Sequence, residues 1–472
     1  MNARPGTQRL IALDRQYVWH PFTPMQAWLE KDDPVVIERG EGIYLIDTDG
    51  RRYIDGVSSL WCNIHGHHVP ELDAAVRRQL DQIAHSTLLG LANVPSILLA
   101  EQLVKMAPAG LAKVFYSDNG STAVEVACKL AYQYRVNAGQ GQRSRFIAFR
   151  GSYHGDTLGA VSVGGIGAFH AAYRPLCFPV DFVDPPLDAF SGDLAEHALM
   201  RGGAPAGPTA EFGNSIVNIL QAHPGAHTAI IVEPLVQGAG GMLMHPRGTL
   251  RVLRRIADEY GLFLIADEVL TGFGRTGKLF ACDHEEVSPD LLCLSKGLTG
   301  GYMPLGATLA SQQIFDGFYA DPREGKTFFH GHTFTGHPLA CATALESWNL
   351  MQRNGVLEQL PEKTALLAAL LEPLRARPNV LQVRQRGLIA AIELVRDVKR
   401  RQAFPPSWRV GGALCTAMRA HGVMLRSLAD VLVIMPPLVI DAAALRQIVH
   451  AVRHALDDLP EICRKKELEF GP

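Results

Sequence analysis

The pattern of apolar and polar positions changes character three times along the chain. The stretch VVIERGEGIYLIDTDGRRYIDG (35–56) alternates with a period of two, which predicts a small β-meander turning at Asp49-Gly50. From ELDAAVRRQL at 71 onward, helical periodicity alternates with short apolar runs, as a mostly parallel sheet covered by helices requires. The predicted strands include AKVFYS (112–117), RFIAF (145–149), TAIIVE (228–233) and LFLIADEV (262–269). A helix is expected after Gly120-Ser121, with Val124, Ala127, Leu130, Ala131 and Tyr134 on its apolar face. Beyond about residue 346 come an amphipathic helix (TALLAALLEPLRAR), two strands (LIAAIELV and DVLVIMPPLVI) and a last helix, DAAALRQIVHAVRHAL. The first 35 residues, aromatic and proline-punctuated (YVWHPFTPMQAW), read as an extended arm, and the Gly/Pro/Ala-rich 184–215 as a long surface excursion.

Composition narrows the class without choosing within it. With 472 residues, 47% hydrophobic and 19% charged, the chain can bury a large core. A formal net charge of −2, from 45 basic and 47 acidic residues, argues against nucleic acid or an anionic membrane as partner. Eight cysteines include no CxxC pair, and no window is long and apolar enough to span a bilayer, so a reducing, cytoplasmic setting is expected.

Two motifs mislead. Gly272-Phe273-Gly274-Arg275-Thr276-Gly277 fits the dinucleotide fingerprint, yet KLFACDHEEVSPD lacks helical period where a helix should open. As a phosphate loop, GFGRTGK fails because Leu279 stands where a metal-binding hydroxyl belongs. The clusters His65-Gly66-His67-His68 and His330-Gly331-His332 lack the spacing of a zinc site, so no metal is expected.

A distributed set of residues carries more. Gly120-Ser121 at a helix start could hold a phosphate. Asp267 ends a buried strand where such sheets bind ligands, and Tyr153 follows another strand with a flat ring. Lys296 follows the apolar run LLCLS and precedes a glycine-rich turn, where poor solvation would favour its neutral, nucleophilic form. A phosphate site, a carboxylate, an aromatic plate and a lysine are together the needs of pyridoxal 5′-phosphate.

IADEVLTGFGRTG followed by LCLSKGLTGGYMPLGA resembles the signature of the class III, fold-type I aminotransferases, and the likeness covers nearly the whole chain. The resemblance implies an α/β large domain with a mostly parallel seven-stranded sheet (76–346) and a small α+β domain drawn from both ends (1–75 and 347–472). It also implies a homodimer with shared active sites. WHPFTPM, SSLWCNIHGHHVPEL, GSYHGDTLGAVSVG, EPLVQGAGGM and FFHGHTFTGHPLACATALE resemble the biotin-pathway branch, the diaminopelargonate synthases, which move an amino group onto 8-amino-7-oxononanoate. Carried over by motif position, Gly120, Ser121 and Thr333 of a second subunit, next to His332, would bind the phosphate. Tyr153 would stack on the ring, Asp267 hold its nitrogen and Lys296 form the Schiff base. Phe22, Trp61 and Gly331 would line the substrate pocket, with Arg426 receiving the substrate carboxylate. Leu270, where ornithine- and GABA-type relatives carry Gln, favours the biotin branch over an omega-amino-acid:pyruvate aminotransferase. Members using S-adenosylmethionine as donor carry Tyr, Trp and Tyr where this chain has Phe22, Leu60 and Val433; a second branch, using lysine, is similar to this chain there.

Overall fold

The computed structural model describes residues 6–186 and 209–470. At its centre stands a seven-stranded sheet in the order Leu111–Ser117, Gly306–Ser311, Leu291–Leu294, Phe263–Asp267, His227–Val232, Arg145–Phe149, Val180–Val183. All neighbours pair in parallel except those of Gly306–Ser311, which runs against both of its partners. His227–Val232, Phe263–Asp267 and Leu291–Leu294 are buried at every position. Helices cover both faces of such a sheet, so its strands read as continuous apolar runs rather than alternating ones.

The four strands anticipated here lie within two residues of their expected bounds. The meander forms as Ile37–Glu41, Tyr44–Asp47 and Arg52–Asp55, its turn tied by Asp47, whose Oδ1 accepts the N–H groups of Asp49 and Arg51. A parallel pairing of Ile54 with Val423 and Asp55 with Met424 joins this N-terminal sheet to the C-terminal part of the chain. A third sheet orders Val380–Arg386, Ile389–Leu394, Val431–Ile434 and Arg426–Leu428.

Two expectations need correcting. The N-terminal arm is not extended: Thr7–Tyr17 and Met25–Glu30 are helices. Asp14 on the first accepts the Trp28 indole N–H at 2.9 Å and lies 2.9 Å from His20 Nε2, so the prolines at 21 and 24 punctuate a folded hairpin of helices. Of the 184–215 excursion, 187–208 lie outside the described residues, but 209–215 open the helix Thr209–Ala222. Phe212, Ile216 and Leu220 recur every fourth residue and are buried, which outweighs Gly213 as a breaker.

Candidate active site

The C-terminal ends of the parallel strands converge on one cavity of about 500 Å³. Asp267 closes its strand, Glu233 follows His227–Val232, Tyr153 and His154 follow Arg145–Phe149, and Lys296 follows Leu291–Leu294 across Ser295. Gly120 and Ser121 border the same space at the start of the helix Gly120–Asn137. Asn119 caps that helix in a reciprocal box with Thr122, leaving the first two N–H groups without an intrahelical acceptor. The approach is close: a Cβ on Gly120 would stand 2.5 Å from Val269 Cγ1, and one on Gly155 2.0 Å from Ser121 Oγ.

Charge is arranged in a buried row. Asp267 Oδ2 lies 2.7 Å from His154 Nδ1, and its Oδ1 accepts the Val269 N–H at 3.1 Å. Glu233 accepts the backbone N–H groups of Tyr153 and Gly238, both at 2.8 Å. Burial pushes Glu233 up to about 7, with Asp267 adding to the rise and those two N–H groups opposing it. Burial also holds Lys296 below the ordinary lysine value, against the upward pull of Asp267 and Glu233. Its Nζ lies 5.2 Å from the centroid of the Trp61 ring. Desolvation wins over the acidic neighbours, so more of the amine is neutral than in water.

Lys296, Asp267, Tyr153, Gly120, Ser121, Trp61 and Leu270 all line this cavity. Phe22, itself exposed, packs its ring 5.1 Å from Phe169 and edge-on to Tyr153 at 6.4 Å. Arg426 lies outside the lining, but it registers opposite Val433 in an antiparallel pair. Residues so paired share a face, and Val433 packs in one apolar cluster with Trp61 and Leu270. Gly331, His332 and Thr333 do not line the cavity of their own chain: Gly331 and Thr333 are exposed, and His332 Nε2 stands 2.6 Å from Asp118 Oδ1.

The histidine clusters have other partners. His65 lies 3.0 Å from Ser347 Oγ, His67 2.9 Å from Asp55, and His330 accepts from Lys129 at 2.9 Å. Among the described residues no group of three or more His, Cys, Asp or Glu could hold a metal ion. No α-helix opens after the glycines of GFGRTG; Arg275 is instead buried and reaches Ser58, Asn63 and Pro436. Among the cavity residues given no role by the sequence are Glu233 and His154, the partner of Asp267. The rule that singled out Asp267, a carboxylate just past a buried parallel strand, applies equally to Glu233.

Strand-end carboxylates, a buried lysine and a helix start around one cleft on a mostly parallel sheet define an α/β enzyme of the transaminase kind. The chain belongs to the class-III aminotransferases, whose family model matches residues 27–456. It is 48% identical to an adenosylmethionine-8-amino-7-oxononanoate aminotransferase of Geobacter sulfurreducens, over 95% of this chain and 98% of that one. The crystal structure of the enzyme of that name from Methanocaldococcus jannaschii superposes with a TM-score of 0.89 at 39% identity, covering 96% and 99% of the two chains. An (S)-enantioselective omega-transaminase from Thermomicrobium roseum superposes equally well, with a TM-score of 0.90, at 33% identity over 97% and 100%. Fold alone therefore does not separate these substrate classes; sequence does more.

Proposed function

We propose that this enzyme transfers an amino group to the ketone of 8-amino-7-oxononanoate, giving 7,8-diaminononanoate in biotin biosynthesis, with pyridoxal 5′-phosphate as cofactor. The observation that carries the chemistry is the buried lysine, held below its usual basicity, in one cavity with Asp267 and the open helix start at Gly120. The identity of 48% to a relative named for that acceptor, and Leu270 on the cavity wall, support the substrate.

The residues present fit the cofactor. Lys296 would tether it through Nζ, Asp267 would pair with its ring nitrogen, Tyr153 would lie against the ring, and Gly120 and Ser121 would meet its phosphate. When bound, that group supplies an electrophilic aldehyde carbon and an electron-withdrawing ring. The chain supplies the rest. Burial keeps part of the Lys296 population neutral, so Nζ can take a proton from the donor and return one to the acceptor. His154 fixes the Asp267 carboxylate, and Glu233 fixes the backbone of Tyr153. Arg426 offers a fork for the acceptor's carboxylate, on the sheet face shared with Val433. The donor is S-adenosylmethionine or lysine. Supplying each separately and assaying 7,8-diaminononanoate decides between them.

The same reading makes the protein a homodimer. The loop carrying His332 and Thr333 packs beside Leu88 and Leu89, next to exposed Leu91, Val94 and Ile97. A contiguous apolar surface of this kind marks an interface, and a second copy would bring Thr333 toward the neighbouring cavity. The division into a large domain (76–346) and a small one from both ends is supported by the Ile54–Val423 pairing.

Hydride reduction in the presence of the cofactor, followed by peptide mass analysis, tests the central residue. The cofactor mass is expected on the peptide containing Lys296; an adduct elsewhere, or none, rejects the scheme.

A further inference from the structure

Ser58, Ser59, Leu60 and Trp61 have φ values of 43°, 41°, 65° and 73°, four successive left-handed residues with no glycine among them. The Trp61 N–H reaches Val57 O at 2.6 Å and the Cys62 N–H reaches Ser58 O at 3.2 Å, so the segment is one turn of left-handed helix. L-residues visit that region singly and at an energetic cost, because Cβ crowds the following carbonyl oxygen. Four in a row persist only where the surroundings over-determine them.

The surroundings here do. Ser58 Oγ donates to Met435 O at 2.8 Å and accepts from Arg275 Nη2 at 2.9 Å. Arg275, fully enclosed, also donates to Asn63 O from Nη2 and to Pro436 O from Nη1, both at 2.6 Å. Ser59 Oγ donates at 2.8 Å to Oδ2 of Asp55, a buried carboxylate that His67 Nε2 approaches to 2.9 Å. Both ends of the turn are thus tied to different parts of the fold. The hand of a turn sets the direction of every Cα–Cβ bond on it, and this one delivers the Trp61 ring to the cavity wall, 5.2 Å from Lys296 Nζ.

We propose that Arg275, Ser58 and Asp55 are positioning residues, which clamp a strained left-handed turn so that Trp61 is held as a fixed wall beside Lys296. This rests on the reading of Lys296 as the reacting amine. It gives GFGRTG a task that neither nucleotide motif could: its arginine is the clamp. Backbone strain is held at the site and offset by bonds made outside it.

Leu60, exposed and central in the turn, separates strain from packing. Leu60→Ala removes the side chain but keeps the Cβ; Leu60→Gly removes both and favours φ above zero. Leu60→Gly melts about 1–2 °C above Leu60→Ala, because the backbone is relieved. It turns over as fast as Leu60→Ala at saturating substrate, because the clamp still fixes Trp61, whereas Ser58→Ala, which removes the hydroxyl between Arg275 and Met435, turns over about tenfold more slowly. The pH profile of hydride trapping at Lys296 shifts in Ser58→Ala and in neither Leu60 variant. Glu286, exposed, at φ 54° and outside the cavity lining, is the control: Glu286→Gly should gain stability over Glu286→Ala without any change in turnover. Turnover is measured with whichever donor and acceptor the wild-type enzyme accepts, so a wrong substrate assignment leaves this comparison intact. Leu60→Gly melting no higher than Leu60→Ala, or Ser58→Ala matching wild type in turnover and trapping profile, overturns the proposal.

Discussion

Lys296 is a lysine whose charged form the fold disfavours, and that has a consequence for stability. Its folded value is depressed from 10.5 by burial. The unfolded chain therefore binds the proton more readily, and the charged lysine opposes folding at neutral pH. That penalty disappears as pH rises from the folded value to 10.5. In the cofactor-free protein, Lys296→Met should be at least as resistant to urea as wild type at pH 7, and its advantage should shrink toward pH 10. An advantage that grows with pH contradicts the burial argument. Asp267 makes a second residue-level prediction. Asp267→Asn keeps the shape of the pair with His154 but removes the negative charge, and kcat should fall by about a hundredfold or more. Loss of turnover much smaller than this, with the cofactor still tethered, would place the essential charge elsewhere, Glu233 being a second buried carboxylate in the lining.

The elements that build the site differ in how openly the sequence displayed them. The helix Gly120–Asn137 and the strand Phe263–Asp267 were legible because both are long or wholly buried, and each carries its chemistry at an end. Leu291–Leu294 was visible as an apolar run and Gly306–Ser311 was not, since four to six small or aliphatic residues give no period by themselves. The left-handed turn at 58–61 was invisible for a stronger reason. SSLW contains none of the residues that advertise positive φ, and its conformation is imposed by Arg275 and Met435, more than 200 residues away. The pairing of His154 with Asp267 escaped likewise, because the two lie 113 residues apart. At the helix start, the contact of Gly120 with Val269 makes a sharp forecast. Gly120→Ala must displace one or the other, at about 1–3 kcal/mol of stability by overpacking, and cofactor affinity should drop with it. Asn119→Ala should cost about 1 kcal/mol through the lost cap, and equilibrium denaturation of both variants checks the two figures.

At the scale of the whole molecule, the architecture brings residues from 61 to 296 around one cavity, and it does so with buried polar joints as well as apolar packing. His65 and His245 are both enclosed as neutral rings, burial lowering each to about 4. The unfolded chain takes up those protons near 6.5, so stability should fall as pH drops from 6.5 toward 4. His65→Gln combined with His245→Gln should flatten that slope in denaturation midpoints measured at pH 7 and 4.5; an unchanged slope assigns acid lability to other groups. No helix of the described residues is long and apolar enough to cross a membrane. The eight cysteines are all free. Among neighbours of equal structural likeness, what favours the biotin-pathway reading over the omega-transaminase reading is the 48% identity to a relative of that name, with Leu270 on the cavity wall. The direct measurement is therefore product formation. Purified enzyme loaded with pyridoxal 5′-phosphate is given 8-amino-7-oxononanoate with S-adenosylmethionine or lysine, and 7,8-diaminononanoate is measured by mass. The account predicts product from one of the two donors with wild type and none with Lys296→Ala. No product from either donor, alongside brisk transfer from an omega-amino acid to pyruvate, would contradict it.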